Sequence, residues 1–545
     1  MSKVAHYLQE HLLGEVVESD DVRKYFSTDA SIFSIKPLLV VYPRNENDIR
    51  KTIRFTWQLA ERGRTIPVTA RGAGTDLSGA SLGHGVIMAF PAHMSRILEL
   101  DSKSGVVTVE PGIIFGKLQQ TLYTHSRFLP FYPSSLEYCT VGGSVANNAA
   151  GEKSFKYGST RDYVKRLRVV LANGEVIETQ RISKRELNKK LGLSTFEGEI
   201  YRSLDTLIEE NRDLIQELRP NVTRDAAGYA LDLVKRKDGS FDLTPLIVGS
   251  QGTLGVVTEI TLNTEIHNPT TTLIAAMFDD IAVALDAMQE IRKLPESPSM
   301  MEMVDEHLLR LVSQTNPNAL KGIISESNPK LVLLLEFDNT SDRIQRRMAK
   351  KTAKILKKYQ ITYRLETELQ KKEELWKIRH SVASVMSFVD GNAKALPIVD
   401  DGIVPVERFG ELLKSVYELF DGMGLKTAVW GHAGDANIHI EPFLNLGQVG
   451  DRQKAFKLID EYHKLVISMG GSTTGQYGDG RLRGPYLRTL LGDAKYELLQ
   501  KVKKIFDPYG TLNPGVKINV EQQETKQYLR NDYNLEHLYD FMPRT

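Results

Sequence analysis

The chain has 545 residues, enough for two or three domains. Apolar residues make up 41% and charged residues 26%, an ordinary globular balance, and Lys plus Arg (70) nearly cancels Asp plus Glu (69). That near-neutrality argues against a dedicated nucleic-acid binder, which needs a basic excess over phosphate. The single cysteine, Cys139, excludes an internal disulfide, a four-cysteine zinc site and an all-cysteine iron–sulfur cluster. Redox chemistry here must therefore ride on an organic cofactor or another metal site. The N-terminus has no apolar core of signal-peptide length, and no stretch approaches the ~18 apolar residues of a membrane-spanning helix. A cytoplasmic location is expected, with peripheral membrane contact and homodimerisation both left open.

In chain order, residues 1–35 read as a polar helical lead-in. Residues 38–41 form a strand-like run closed by Pro43, and 47–62 an amphipathic helix. Short strands follow at 67–70, 86–88, 105–109 and 168–171, with Gly, Pro or Asn close by. After residue 266 the glycines thin out. Residues 330–337 have a buried-strand pattern, and 346–359 place Met348, Ile355, Leu356 and Tyr359 on one helical face with lysines elsewhere, a solvated face. A late helix over 496–506 is stopped by Asp507-Pro508.

Three glycine-rich blocks carry the first chemical signal. Arg71, Gly72, Ala73, Gly74, Thr75, Asp76, Ser78 and Gly79 follow a strand directly, and their backbone N–H groups can converge on a pyrophosphate. The block is neither a Walker loop nor the dinucleotide fingerprint. A second block leads from Pro133 and Ser134 through Thr140, Gly142, Gly143, Ala146 and Asn147, nearly all small residues against which a flat ligand can lie. The third contains Gly252 and Val257. Three such blocks in one half imply a large extended ligand, and a dinucleotide fits.

In order and spacing these blocks resemble the FAD-linked oxidases of the vanillyl-alcohol oxidase superfamily, and most closely the branch of D-lactate, glycolate and D-2-hydroxyglutarate dehydrogenases. The resemblance covers roughly residues 35–520. It implies an α+β architecture: a two-subdomain PCMH-type FAD-binding domain (36–266), a cap with an antiparallel sheet flanked by helices (267–485), a return to the FAD domain (486–520) and a polar tail (521–545). It implies non-covalent FAD, with loops 71–79 and 142–143 on the pyrophosphate, Gly252 and Val257 near the adenine or flavin, and Asn513 near the flavin. Cys139 is expected to pack against FAD as a small residue rather than to bond to it.

The second signal is Gly431-His432-Ala433-Gly434-Asp435-Ala436-Asn437-Ile438-His439-Ile440-Glu441. If 437–441 is a strand, His439 and Glu441 share a face, and a turn at 433–436 can fold His432 towards them. Two imidazoles and a carboxylate suit zinc or a similar divalent ion. The family branch carries the matching motif, and its metal-binding members take their carboxylate ligand from a later Gly-Glu-His-Gly segment whose histidine is the base. Here those two positions are Gln476 and Tyr477. Either Glu441 supplies the missing carboxylate, or the metal is gone and His432 or His439 meets the substrate directly. Tyr477 is a hydrogen-bond donor or a proton acceptor, and a poor base given a phenol's pKa of ~10.

The resemblance places a substrate-carboxylate arginine at Arg379, with Lys394 as a second candidate and Arg481 and Arg483 extending a cationic pocket. The expected reaction is oxidation of a 2-hydroxy acid to the 2-oxo acid, with electrons passed on to a separate iron–sulfur subunit, quinone or cytochrome, or to oxygen. An alkylglycerone-phosphate-synthase-like transferase and a degenerate flavoprotein subunit are the alternatives.

Overall fold

Short apolar runs between glycine loops build the first of the three sheets of four or more strands among the described residues. The computed structural model describes residues 2–316, 318, 320–324, 329–387 and 393–535. In this sheet the order is Glu15–Val17, Leu39–Tyr42, Val86–Ala89, Val68–Arg71, and the last three strands run parallel. Leu39, Val40 and Val41 are fully buried, as strands covered on both faces require. The lead-in expected over 1–35 is not separate from this domain. Glu15–Val17 pairs antiparallel with Leu39–Tyr42, and helix Lys3–His11 sinks Val4, Ala5 and Leu8 into the same core as Ile49 and Ile53. The reason lies in spacing, since three apolar residues on one turn-and-a-half suffice to dock a short helix.

The second sheet is antiparallel, ordered Ile97–Asp101, Val106–Val109, Val256–Asn263, Val164–Val170, Val176–Thr179. Helix Asp493–Phe506 packs into its core through Leu498, Leu499, Val502 and Phe506, alongside Ile200 and Leu204. The chain then bridges from Leu512 to Val68 in the first sheet.

The third sheet has six antiparallel strands in the order Thr362–Glu366, Thr272–Phe278, Leu331–Phe337, Met300–Asp305, Val429–His432, Asn437–Ile440. Alternate residues feed opposite faces. Leu331, Leu333 and Leu335 join Met288, Ile291, Met348 and Leu356, while Val332 and Leu334 join Leu308, Val312, Leu375 and Ile378. Helices therefore cover both faces, and Thr272–Phe278 and Leu331–Phe337 read as nearly continuous apolar runs.

The polar tail expected from 521 is folded as far as the described residues reach. Helix Gln522–Gln527 leads to Arg530, whose guanidinium donates to the Asp29, Ser31 and Asn534 carbonyls, and Tyr533 Oη donates to the Ala30 carbonyl at 2.8 Å. Residues 536–545 of that expected tail lie outside the described residues. Among the described residues no helix is long and apolar enough to cross a membrane.

Candidate active site

Loops from all three sheets enclose a cavity of about 1430 Å³, beyond the roughly 300–1,000 Å³ of ordinary small-ligand sites. One wall is made of Gly72, Ala73, Gly74, Thr75, Asp76, Pro133, Ser134, Thr140, Gly142, Gly143, Ala146, Asn147, Gly252 and Val257. A side chain would disrupt this wall. A Cβ on Gly142 would stand 2.6 Å from Pro111 Cβ and 2.7 Å from its carbonyl oxygen, and Gly74 has φ +78°. The size and the lining of small residues fit a dinucleotide.

Several residues expected to touch that ligand hold the loops in place. Arg71 reaches the cavity lining, but its guanidinium donates to the Phe26 and Thr28 carbonyls and lies over the Phe26 ring. Ser78 and Gly79 are outside the lining, with Ser78 bonded to Asp76 and a Gly79 Cβ blocked by Phe33. Asn513 is buried and bonds Thr69 Oγ1 and the carbonyls of Ala80 and Gln251. Gln251, which the sequence did not single out, ties the blocks together. Its amide nitrogen donates to Asn147 Oδ1 (2.9 Å) and Ser78 Oγ (3.2 Å), and its oxygen accepts from Gly480 N–H (2.8 Å). Cys139 lines the wall, and burial pushes its thiol up to about 12, which leaves it an inert small residue rather than a nucleophile.

The cap supplies further lining, including His432 and His439. Asn437–Ile440 is a strand, Ala433–Asp435 a 3₁₀ turn, and Ala436 takes the left-handed conformation (φ 57°) that returns the chain. His432 and His439 come together with ring centroids 5.0 Å apart and planes at 87°. Each has a carboxylate at Nδ1: Glu302 Oε1 at 2.5 Å for His432 and Asp400 Oδ1 at 2.6 Å for His439. Glu302 is fully buried and also accepts from Arg379 Nε at 2.9 Å. Burial alone would raise the Glu302 carboxyl, but the neighbouring His432 and Arg379 hold it down at about 2. Burial lowers His432, against the pull of Glu302, so its ring is neutral with Nδ1–H donating. His432 Nε2 is then a lone pair, fully buried and without a hydrogen-bond partner among the described residues.

Gln476 and Tyr477 sit on a loop that Asp401 organises, its carboxylate accepting from the Gln476 and Tyr477 N–H groups and from Thr474 Oγ1. Gln476 Nε2 lies 3.1 Å from His439 Nε2, and Gln476 Oε1 faces Arg224 Nη2 at 3.4 Å. Arg224 is 8% exposed and further bound to Asp435 Oδ2 (2.6 Å) and Asn437 Oδ1 (2.8 Å). Burial, with Asp400 and Asp401, pushes the Tyr477 phenol well above its ordinary value, so it is a donor and not a base. Lys394 lines the cavity from a two-residue strand paired with Leu444. Arg481 and Arg483 are outside the lining. Their guanidiniums serve backbone carbonyls of Gly515 and Leu82, and of Gly478 and Asp400.

Comparison with known proteins decides the family. Residues 37–180 match the FAD binding domain and residues 267–516 the C-terminal domain of FAD linked oxidases. The chain belongs to the FAD-linked oxidases. A D-2-hydroxyglutarate dehydrogenase of Pantoea ananatis is 29% identical over 92% of this chain and 50% of its own length. The chain thus spans about half the length of that relative. A glycolate oxidase subunit of Bacillus subtilis is 27% identical over 91% of this chain and 93% of its own. A 4-ethylphenol oxidase structure from Gulosibacter chungangensis superposes with a TM-score of 0.68 at 15% identity, covering 96% of this chain and 97% of that one, and shares the fold. The match to the FAD binding domain accordingly supports FAD as the cofactor, and the cavity has room for it.

A divalent metal on His432, His439 and Glu441 does not fit. Among the described residues no group of three or more His, Cys, Asp or Glu side chains could hold a metal ion. The strand ends at Ile440, so Glu441 falls beyond it in the cavity wall. Burial and the neighbouring Asp400 push its carboxyl up to about 8. Sequence reasoning missed Glu302, Asp400, Arg224 and Gln251 as parts of the site. Glu302 did leave a signal, as a lone carboxylate in the strand Met300-Met301-Glu302-Met303. Arg224, in a loop of the other domain, left none.

Proposed function

We propose that this protein is an FAD-dependent dehydrogenase oxidising a 2-hydroxy acid, of the D-lactate, glycolate or D-2-hydroxyglutarate class, to its 2-oxo acid. The observation that carries this reading is His432 Nε2, a buried lone pair with no partner among the described residues, on a side chain that lines the same cavity as the glycine loops. An orphaned buried acceptor is costly, and the cost is offset when a ligand hydroxyl donates to it.

FAD supplies the two-electron acceptor for the substrate α-hydrogen when it is bound. His432 Nε2 takes the hydroxyl proton as that hydrogen leaves with its bonding pair. The resulting imidazolium donates from Nδ1 to the Glu302 carboxylate, which is placed to stabilise the new charge. Arg379 holds the substrate carboxylate, since its bond to Glu302 uses one of five guanidinium donors and fixes the fork in the wall. Lys394 adds a second cation at the cavity edge, and Tyr477 donates from a phenol that stays protonated. The electrons then leave to a separate acceptor, an iron–sulfur subunit, a quinone or a cytochrome.

The test is anaerobic addition of D-lactate, glycolate and D-2-hydroxyglutarate to the FAD-loaded protein. Loss of the oxidised-flavin absorbance with at least one of them is expected. An unchanged spectrum across the series defeats the dehydrogenase reading and favours a non-redox transferase.

A further inference from the structure

We propose that Gln476 makes this a metal-free centre: its side-chain amide occupies the His439 lone pair that a metal ion would need, leaving His432 Nε2 as the open acceptor of the pair. The inference does not depend on which acid is oxidised.

The two imidazoles have the surroundings that usually serve a metal. Each Nδ1–H is held by a carboxylate, which presents Nε2 as the ligating atom. What differs is the third position. Gln476 Oε1 faces Arg224, and a guanidinium has donors and no acceptor. The oxygen must therefore sit on the arginine side, and the other end of the amide is the NH₂, 3.1 Å from His439 Nε2. Turning the amide over would set N–H groups against a guanidinium and an oxygen against a lone pair. Arg224 thus fixes which way Gln476 points, and Asp435 and Asn437 fix Arg224.

Charge accounting agrees with the geometry. Three carboxylates around the imidazoles already have partners: Glu302 has Arg379 and His432, Asp400 has His439, and Asp435 has Arg224, while Glu441 lies past the end of the His439 strand. A divalent ion between the rings would lie near two buried guanidiniums with no carboxylate in its own coordination set. Desolvating such an ion without an anionic ligand is strongly unfavourable.

The same geometry predicts how to reverse the state. In Gln476→Glu, one carboxylate oxygen accepts from Arg224 and the other is turned towards His439 without a proton to donate. Two imidazoles and a carboxylate then form a zinc-type set with an open position. The experiment is elemental analysis of the FAD-loaded parent and Q476E proteins after equilibration with zinc and removal of the free ion. The expected result is no zinc in the parent and stoichiometric zinc in Q476E, lost again on adding His439→Ala. Co²⁺ titration followed by its visible ligand-field bands gives a second readout of the same difference. Stoichiometric zinc in the parent overturns the proposal, as does a folded Q476E that binds no more zinc than the parent. If Q476E does not fold, the parent decides: retained zinc refutes the proposal, and its absence upholds it. Metal content is read without substrate, so this outcome is independent of the flavin-bleaching test.

Discussion

Replacing Glu302 by Gln is the sharpest probe of the acid–base arrangement. Glu302 Oε2 accepts from Arg379 Nε at 2.9 Å and Oε1 accepts from His432 Nδ1 at 2.5 Å, both deep in the protein. Glutamine can serve only one of these as an acceptor. The guanidinium, which always donates, claims the amide oxygen and leaves the NH₂ facing His432 Nδ1. Nδ1 must then accept, the ring proton moves to Nε2, and the lone pair that faced the substrate disappears. Losing a general base of this kind costs about 10²–10⁴-fold in rate. The assay is anaerobic single-turnover flavin reduction, with apparent substrate affinity largely kept because Arg379 remains.

Stability supplies an independent check on the same variant. Breaking one partner out of a buried ion pair costs about 3–5 kcal/mol, and the sign with pH follows from the direction of the shift. Glu302 is held below the ordinary Glu value, to about 2, so its stabilisation is fully present above pH ~4.3 and is lost as pH falls towards 2. The melting-temperature gap between parent and E302Q should therefore be full at neutral pH and narrow below ~4.3. A folded, FAD-loaded E302Q that reduces its flavin at the parent's rate refutes the assignment of His432 as base.

Three further outcomes follow from the wall and its neighbours. Gly142→Ala forces a methyl into Pro111, so the variant should lose about 1–3 kcal/mol and purify with a lower flavin-to-protein absorbance ratio; full occupancy at unchanged melting temperature contradicts the proposed wall. Glu441 has a carboxyl raised to about 8, so its stabilising contribution is present below ~4.3 and lost as pH rises through 8; Glu441→Gln should hold its melting temperature better than the parent on the alkaline side, with zinc content unchanged. Cys139, with its thiol pushed up to about 12, should resist iodoacetamide at neutral pH in the folded protein, and acid precipitation should release the flavin; flavin remaining in the pellet would show a covalent link.

What the sequence disclosed was the part governed by local chemistry. The glycine blocks are legible because only residues without bulk can form a wall of that kind, and most of their members line the cavity. The turn that joins His432 to His439 was legible from spacing. Arg71, Ser78 and Asn513 brace the loops, because a polar residue beside a ligand loop is as useful for bracing the loop as for touching the ligand. Glu441 was misassigned because strand alternation was carried one residue past the end of the strand. Arg224 and Asp400 were invisible because their roles depend on contacts spanning 252 and 39 residues of chain, which no local pattern encodes. The segment from 521 was read only as a polar tail, because no local pattern shows that Arg530 is buried by bonding backbone carbonyls.

The buried charges also show what the site selects for. An ion pair sealed from water is weak evidence for stability, since well-packed apolar residues of similar volume often do as well. Glu302–Arg379 and Arg224–Asp435 are both nearly inaccessible, so stability alone does not account for them. Each instead fixes one choice that an apolar replacement would leave open. Glu302 chooses the His432 tautomer and with it the location of the lone pair, and Arg224 chooses which end of the Gln476 amide meets His439. Arg224 lies between the second and third glycine blocks in sequence yet bonds the cap at Asp435, Asn437 and Gln476, so docking of the cap and orientation of its histidine pair are a single event. A chain in which the two domains fold but do not dock should therefore bind flavin through its glycine loops and still lack a base aimed at the substrate.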